Sequence, residues 1–226
     1  MRFIVLRHQE EEGLGTIAEW LKLNGHSHFY VNLFAKQRPP SNALMAYDAL
    51  VSMGGPMSVN DDSELMQTSL ALTADFVQAK RPVLGVCLGA QAIAKVAGGT
   101  VAQSAFELGF DRVSPVSAHP FFASGKLAVE DWDVFQWHGE NFTLPAGAAH
   151  LFSGKLVANQ GFTYKQALGL QFHNELSLEW YTMWYEGLRH KFENMDKLVP
   201  PSADMPFVSL KTNLFALLNT WQREWS

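Results

Sequence analysis

Short apolar runs alternate with amphipathic stretches through the N-terminal half of the chain. Phe3-Ile4-Val5-Leu6 is a continuous apolar run, the pattern of a strand buried on both faces. A loop with Gly13 and Gly15 follows. Thr16-Ile17-Ala18-Glu19 then has capping-box spacing, Ile17, Trp20 and Leu21 share a helical face, and Gly25 suits a C-cap. The alternation recurs: His28 to Leu33 and Ala49 to Met53 read as strands, and Glu64 to Lys80 as a helix with Leu65, Leu72 and Phe76 on one side. Pro82 introduces a strand, Val83-Leu84-Gly85-Val86, and a helix from Gly89 to Val96 ends at Gly98-Gly99. From Leu108 to Phe172 strands and turns dominate, with Asp133 to Trp137 and Ala167 to Phe172 the clearest strands. Leu176 to Glu193 reads as a helix. After Pro200-Pro201, an amphipathic helix is marked by Leu210, Leu214, Leu217, Leu218, Trp221 and Trp225.

Strand and helix in repeated succession predict an α/β fold, an open and mostly parallel sheet with helices on both faces. No repeat or low-complexity linker interrupts the 226 residues, so a single domain over 1–226 is expected, with 200–226 a C-terminal helical tail. Packing of that tail on the domain is the simpler expectation, and a homo-oligomer contact the lesser one. The composition is that of an ordinary globular protein, 47% hydrophobic and 17% charged with a net charge of −5. An acidic balance without Lys/Arg runs argues against nucleic acid or an anionic membrane as a partner. No stretch reaches the ~18 apolar residues of a membrane span, and the first apolar run is too short for a signal-peptide core. A soluble, cytoplasmic protein is expected.

The chain has 1 cysteine. It cannot form an internal disulfide, and no C-x-x-C or H-E-x-x-H spacing offers a zinc site, so neither metal nor cofactor is expected. Free cysteines are most often buried filler. Gly85-Val86-Cys87-Leu88-Gly89, however, stands where a buried strand turns into a helix and has the G-x-nucleophile-x-G form of a nucleophile elbow. Cys87 would lie at a helix N-terminus, where the macrodipole favours a thiolate. A base is available in Gly169-Leu170-Gln171-Phe172-His173-Asn174-Glu175: in extended chain His173 and Glu175 point to the same side, so the carboxylate can orient the ring. Cysteine, histidine and carboxylate in that relation follow the triad logic of acyl transfer.

Two further motifs follow predicted strands. In Met53-Gly54-Gly55-Pro56 the glycines would let backbone N–H groups approach an oxyanion, with the Leu88 N–H as second donor. Trp137-His138-Gly139-Glu140 is the other. Each alone reads as an ordinary turn, but four such motifs at strand ends would converge on one crevice. His138-x-Glu140 also matches half of a zinc-deaminase signature, whose metal half needs cysteines that are absent. His8 could border the crevice, whereas His26, His28, His119, His150 and His190 have no ligand spacing.

The segments Met53-Gly54-Gly55-Pro56-Met57-Ser58-Val59, Gly85-Val86-Cys87-Leu88-Gly89-Ala90-Gln91, Trp137-His138-Gly139-Glu140 and Gln171-Phe172-His173-Asn174-Glu175 resemble the class I (triad) glutamine amidotransferases. The likeness runs from residue 1 to about 190, and is greatest to stand-alone members similar to the glutaminase domain of GMP synthase. It implies a flavodoxin-like fold and hydrolysis of the glutamine side-chain amide. It further implies Cys87 as nucleophile, His173 as base, Glu175 as its orienter, and Gly55 and Leu88 as oxyanion donors. Gly54, Gln91, Trp137, His138, Gly139 and Glu140 would hold the substrate. The family usually has proline between the His and the Glu. Asn174 stands there instead, and its freer backbone is expected to loosen the pair.

No G-x-x-x-x-G-K-[ST] loop or other acceptor-activating motif is present, so the expected partner is a separate synthetase that uses the ammonia. Two other functions fit the residues. One is a γ-glutamyl peptidase or hydrolase with the same triad acting on another γ-glutamyl compound. The other is a non-catalytic regulatory protein that keeps the fold. Cysteine peptidases of similar architecture carry His directly after the Cys, where this chain has Leu88.

Overall fold

The structure, a computed structural model, describes residues 1–188 and 198–225. Among them one nine-stranded sheet has the order β2-β1-β3-β4-β9-β8-β7-β5-β6. Strands β1 (Arg2–Arg7), β2 (Ser27–Asn32), β3 (Ala49–Ser52), β4 (Val83–Val86) and β9 (Ala167–Leu170) run parallel. This is the expected α/β half. Strands β5 (Val101–Pro115), β6 (Trp132–Phe142), β7 (Ala149–Gly154) and β8 (Gly161–Tyr164) extend it antiparallel, and β5 begins before the stretch from Leu108 that reads as strands and turns.

The continuous apolar runs are explained by the helices on both faces. In β1, Phe3 and Val5 point to one core with Ile17, Trp20, Leu214 and Trp221, while Ile4 and Leu6 point to the other with Met66, Phe76 and Ile93. The first face is covered by α1 (Thr16–Leu23) and α7 (Phe207–Gln222), the second by α3 (Glu64–Gln78) and α4 (Leu88–Val96). Two four-residue helices, α2 (Ala43–Ala46) and α5 (Pro120–Ala123), were not evident in the sequence. The tail packs on the domain: Trp221 is buried, and Trp225 meets it edge to face at 4.7 Å. No described helix is long and apolar enough to cross a membrane.

Helix α6 (Leu178–Leu188) falls within the expected stretch from Leu176 to Glu193, whose later part lies outside the described residues, as does His190. Gly25, at φ 68°, follows the α1 C-cap as expected. The capping box at its start does not form. The N-cap is Gly15, no side chain caps the helix, and the Thr16 N–H donates instead to the Glu175 carbonyl at 2.8 Å. A tertiary contact thus replaces the local cap, and it ties α1 to the loop after β9.

Candidate active site

At Cys87 the chain turns from β4 into α4 with φ 51° and ψ −107°, a conformation that L residues rarely adopt. The two glycines around it are dictated by contact. A Cβ on Gly85 would stand 2.4 Å from the Gly89 carbonyl oxygen, and one on Gly89 would stand 1.9 Å from that of Ser52. The backbones of β3, β4 and α4 therefore approach more closely than any side chain allows. The Cys87 N–H is fixed to the Leu170 carbonyl at 2.8 Å, leaving the side chain at the carboxyl end of the sheet.

His173 lies just beyond β9, the strand that pairs with β4, so its ring reaches Cys87, to which it hydrogen-bonds. Its Nδ1 is 2.8 Å from Glu175 Oε1, and both residues are buried. Trp184 of α6 closes one side of the ring edge to face at 5.4 Å. Burial alone pushes the imidazolium down. The Glu175 charge, together with hydrogen bonds to Cys87 and Glu175, outweighs it and holds the ring well above the ordinary histidine range. Asn174, where loosening is expected, has a tertiary partner. Its Nδ2 donates to the Asp133 carbonyl at 3.4 Å, and the His173 N–H donates to that of Phe135 at 2.8 Å.

Gly54 and Gly55 follow β3, beside Cys87. A Cβ on Gly55 would meet His8 Cβ at 2.8 Å and Leu88 Cδ2 at 3.2 Å, so the two expected oxyanion donors are neighbours. His8 braces this loop rather than lining the crevice. One ring nitrogen meets the Gly54 carbonyl at 3.2 Å, the other the Ser69 hydroxyl at 2.8 Å, and burial lowers its pKa to about 4.

Trp137 to Glu140 requires a correction. It is not a turn after a strand but lies inside β6, which pairs antiparallel with β5 through Phe142. Pairing holds on both sides of Gly139, and the register shifts opposite it, where extra β5 residues between Gln103 and Glu107 form a bulge. So three of the four motifs stand at carboxyl ends of parallel strands, and the fourth enters from the antiparallel edge strand of the same sheet. It nonetheless reaches the same place. Cys87 Sγ is 3.7 Å from the Trp137 carbonyl oxygen, and Gln91 Nε2 donates to that of Glu140 at 3.0 Å. The Glu140 carboxylate accepts from Ser58 Oγ at 2.8 Å and Gln103 Nε2 at 3.1 Å.

These groups surround a crevice of about 480 Å³ whose lining includes Gly55, Cys87, Gln91, His173 and all four residues from Trp137 to Glu140. Gly54 and Leu88 stand behind that wall. Sequence reasoning missed four contributors. Gln171 donates from Nε2 to Cys87 Sγ at 3.6 Å, and its place two before His173 in extended chain was the available signal. Trp184 was hidden in an amphipathic helix, and Glu107 had no local signal. Glu12, buried in the crevice wall, sits in a run of three glutamates that reads as solvated charge.

Comparison with known proteins identifies the family. The family model described as glutamine amidotransferase class-I matches residues 17–185, and the chain belongs to that family. A glutamine amidotransferase-like protein of Salmonella typhimurium, YfeJ, is 28% identical over 189 residues, 79% of this chain and 77% of that protein. The GMP synthase [glutamine-hydrolyzing] of Chlorobaculum tepidum is 35% identical over 136 residues, 57% of this chain. The match covers 25% of that synthase, so the chain spans about a quarter of its length. A solved glutamine amidotransferase from Thermotoga maritima has a TM-score of 0.86 at 30% identity, with 97% of both chains covered.

Proposed function

We propose that the chain hydrolyses the side-chain amide of glutamine through a γ-glutamyl thioester on Cys87. The observation that carries this reading is the buried relay from Glu175 to His173, 2.8 Å apart, and on to Cys87 at the elbow. The Cys87 thiolate attacks the amide carbon, forming the C–S bond while the oxyanion is held by the Gly55 and Leu88 N–H groups. Collapse breaks the C–N bond, and the imidazolium of His173, with Glu175 fixing its orientation, gives its proton to the departing ammonia. His173 then takes a proton from water, which attacks the thioester and releases glutamate and the thiolate.

Gln91, with Trp137 through Glu140, binds the glutamyl part, and Gly54 shapes the loop beneath it. The ammonia passes to a synthetase that activates an acceptor. Support for a synthetase comes from the relation to GMP synthase, of which the match spans a quarter. A second reading keeps the triad and changes the leaving group: a crevice of about 480 Å³ falls within the range of pockets that hold drug-sized ligands, and so has space for a γ-glutamyl compound larger than glutamine. Ammonia and glutamate release from glutamine tests the first reading. Wild type should turn over and Cys87→Ala and Cys87→Ser should not; undiminished release by either variant would overturn it.

A further inference from the structure

The walls of the crevice carry Glu12, Asp61 and Glu140, and no Lys or Arg among the described residues lines it. Two of these carboxylates have neutral partners. Glu140 accepts from Ser58 and Gln103, and Asp61 accepts from the Ser58 N–H at 3.0 Å. Glu12 differs from both: it is 8% exposed, and its Oε2 is buried without a hydrogen-bond partner. A buried carboxylate oxygen with no donor is unfavourable, and a cationic ligand would supply the missing partner.

Its position identifies which part of a ligand it would meet. Glu12 Oε2 and His173 Cε1 flank one point above Gly54, lying 1.9 Å and 3.1 Å from where a Cβ on that glycine would be. Cε1 adjoins the ring nitrogen that faces Cys87 and delivers the proton to the leaving nitrogen. The substituent on that nitrogen therefore passes within reach of Glu12. We infer that the crevice is built for γ-glutamyl amides whose leaving amine carries a second, cationic nitrogen, with Glu12 as the carboxylate that receives it. The inference rests on the proposed triad and refines its substrate class. Hydrolysis of such an amide adds water across the C–N bond and releases glutamate and the diamine.

The electrostatics agree with this assignment. Burial raises the Glu12 carboxyl from 4.5 to about 7, with His173 lowering it and Glu175 and Glu11 raising it. Arg7 meets Glu12 at the backbone, donating from Nε to its carbonyl at 3.0 Å. A bound ammonium would pull the carboxyl back toward its ordinary range, so a cationic substrate would bind with release of protons below neutrality.

The test compares kcat/KM for the γ-glutamyl amides of putrescine, butylamine and γ-aminobutyrate, which offer a cation, a neutral chain and an anion at similar reach. Wild type should prefer the putrescine amide over the butylamide by about tenfold or more, with the aminobutyrate amide slowest. In Glu12→Gln the ratio of cation to neutral should fall toward one. Equal rates for the three amides in wild type, or a ratio unchanged in Glu12→Gln, would overturn the inference while leaving the triad standing. Absence of turnover for all three and for glutamine, with no acylation of Cys87, would overturn both.

Discussion

Glu107 Oε2 lies 3.0 Å from His138 Nε2, a buried pair that joins the bulged strand β5 to β6 behind the crevice. The same carboxylate oxygen accepts from Gln160 Nε2 at 2.7 Å. Glu107→Ala removes one partner from each of two buried donors, leaving His138 Nε2 with Gln136 Oε1 at 3.1 Å and Gln160 Nε2 with the Val157 carbonyl at 3.3 Å, and should lower stability by about 2 kcal/mol, whereas Glu107→Gln, which keeps the volume, should cost less. Urea denaturation of the two variants measures the difference, and equal losses would show that charge and hydrogen bonding at this site are immaterial.

The elbow makes a sharper demand on the backbone. Gly89→Ala would drive a methyl to 1.9 Å from the Ser52 carbonyl oxygen, while a Cβ at Gly98, which has positive φ, meets nothing within 4 Å. Gly98→Ala should therefore cost only the strain of its φ, about 1 kcal/mol, and Gly89→Ala roughly 3 kcal/mol or more. Thermal melts of both would check the contrast.

His8 sets a pH dependence of stability. Its folded pKa is lowered to about 4 from 6.5, so the unfolded chain binds the extra proton between those values. The contribution is fully present above pH 6.5 and is lost as pH falls toward 4, with a slope of about 1.4 kcal/mol per pH unit. His8→Gln removes a titrating group and should flatten the measured slope by that amount in denaturant titrations across this window.

The parallel half of the fold was legible because β1, β3, β4 and β9 are short apolar runs with breakers between them, and their burial on both faces leaves that trace. The elbow was legible for a related reason: close backbone approach admits only glycine, and glycine is visible in sequence. Trp137 to Glu140 misled because His-Gly-Glu has turn composition, whereas its conformation is set by pairing with β5, distant in sequence. Glu12 and Glu107 owe their roles to burial by other elements, which no local pattern encodes.

Trp184 links the proposed triad to α6. Its ring packs on His173, and its Nε1–H donates to the Glu11 carbonyl at 2.7 Å. Trp184→Phe keeps an aromatic wall and should reduce kcat for glutamine modestly. Trp184→Ala frees the imidazole and should reduce it by about a hundredfold if the fold survives. Steady-state rates with circular dichroism on both variants decide this; a Phe variant as impaired as the Ala variant would shift the role from packing to the Glu11 bond.

The central claim is that Cys87 attacks a γ-glutamyl carbon. Mass spectrometry of protein treated with a glutamine-mimicking diazoketone, with and without excess glutamine, tests it most directly. A single adduct on the Cys87 peptide, suppressed by glutamine, is the expected result. Labelling elsewhere, no labelling of folded protein, or labelling that glutamine leaves untouched would contradict it.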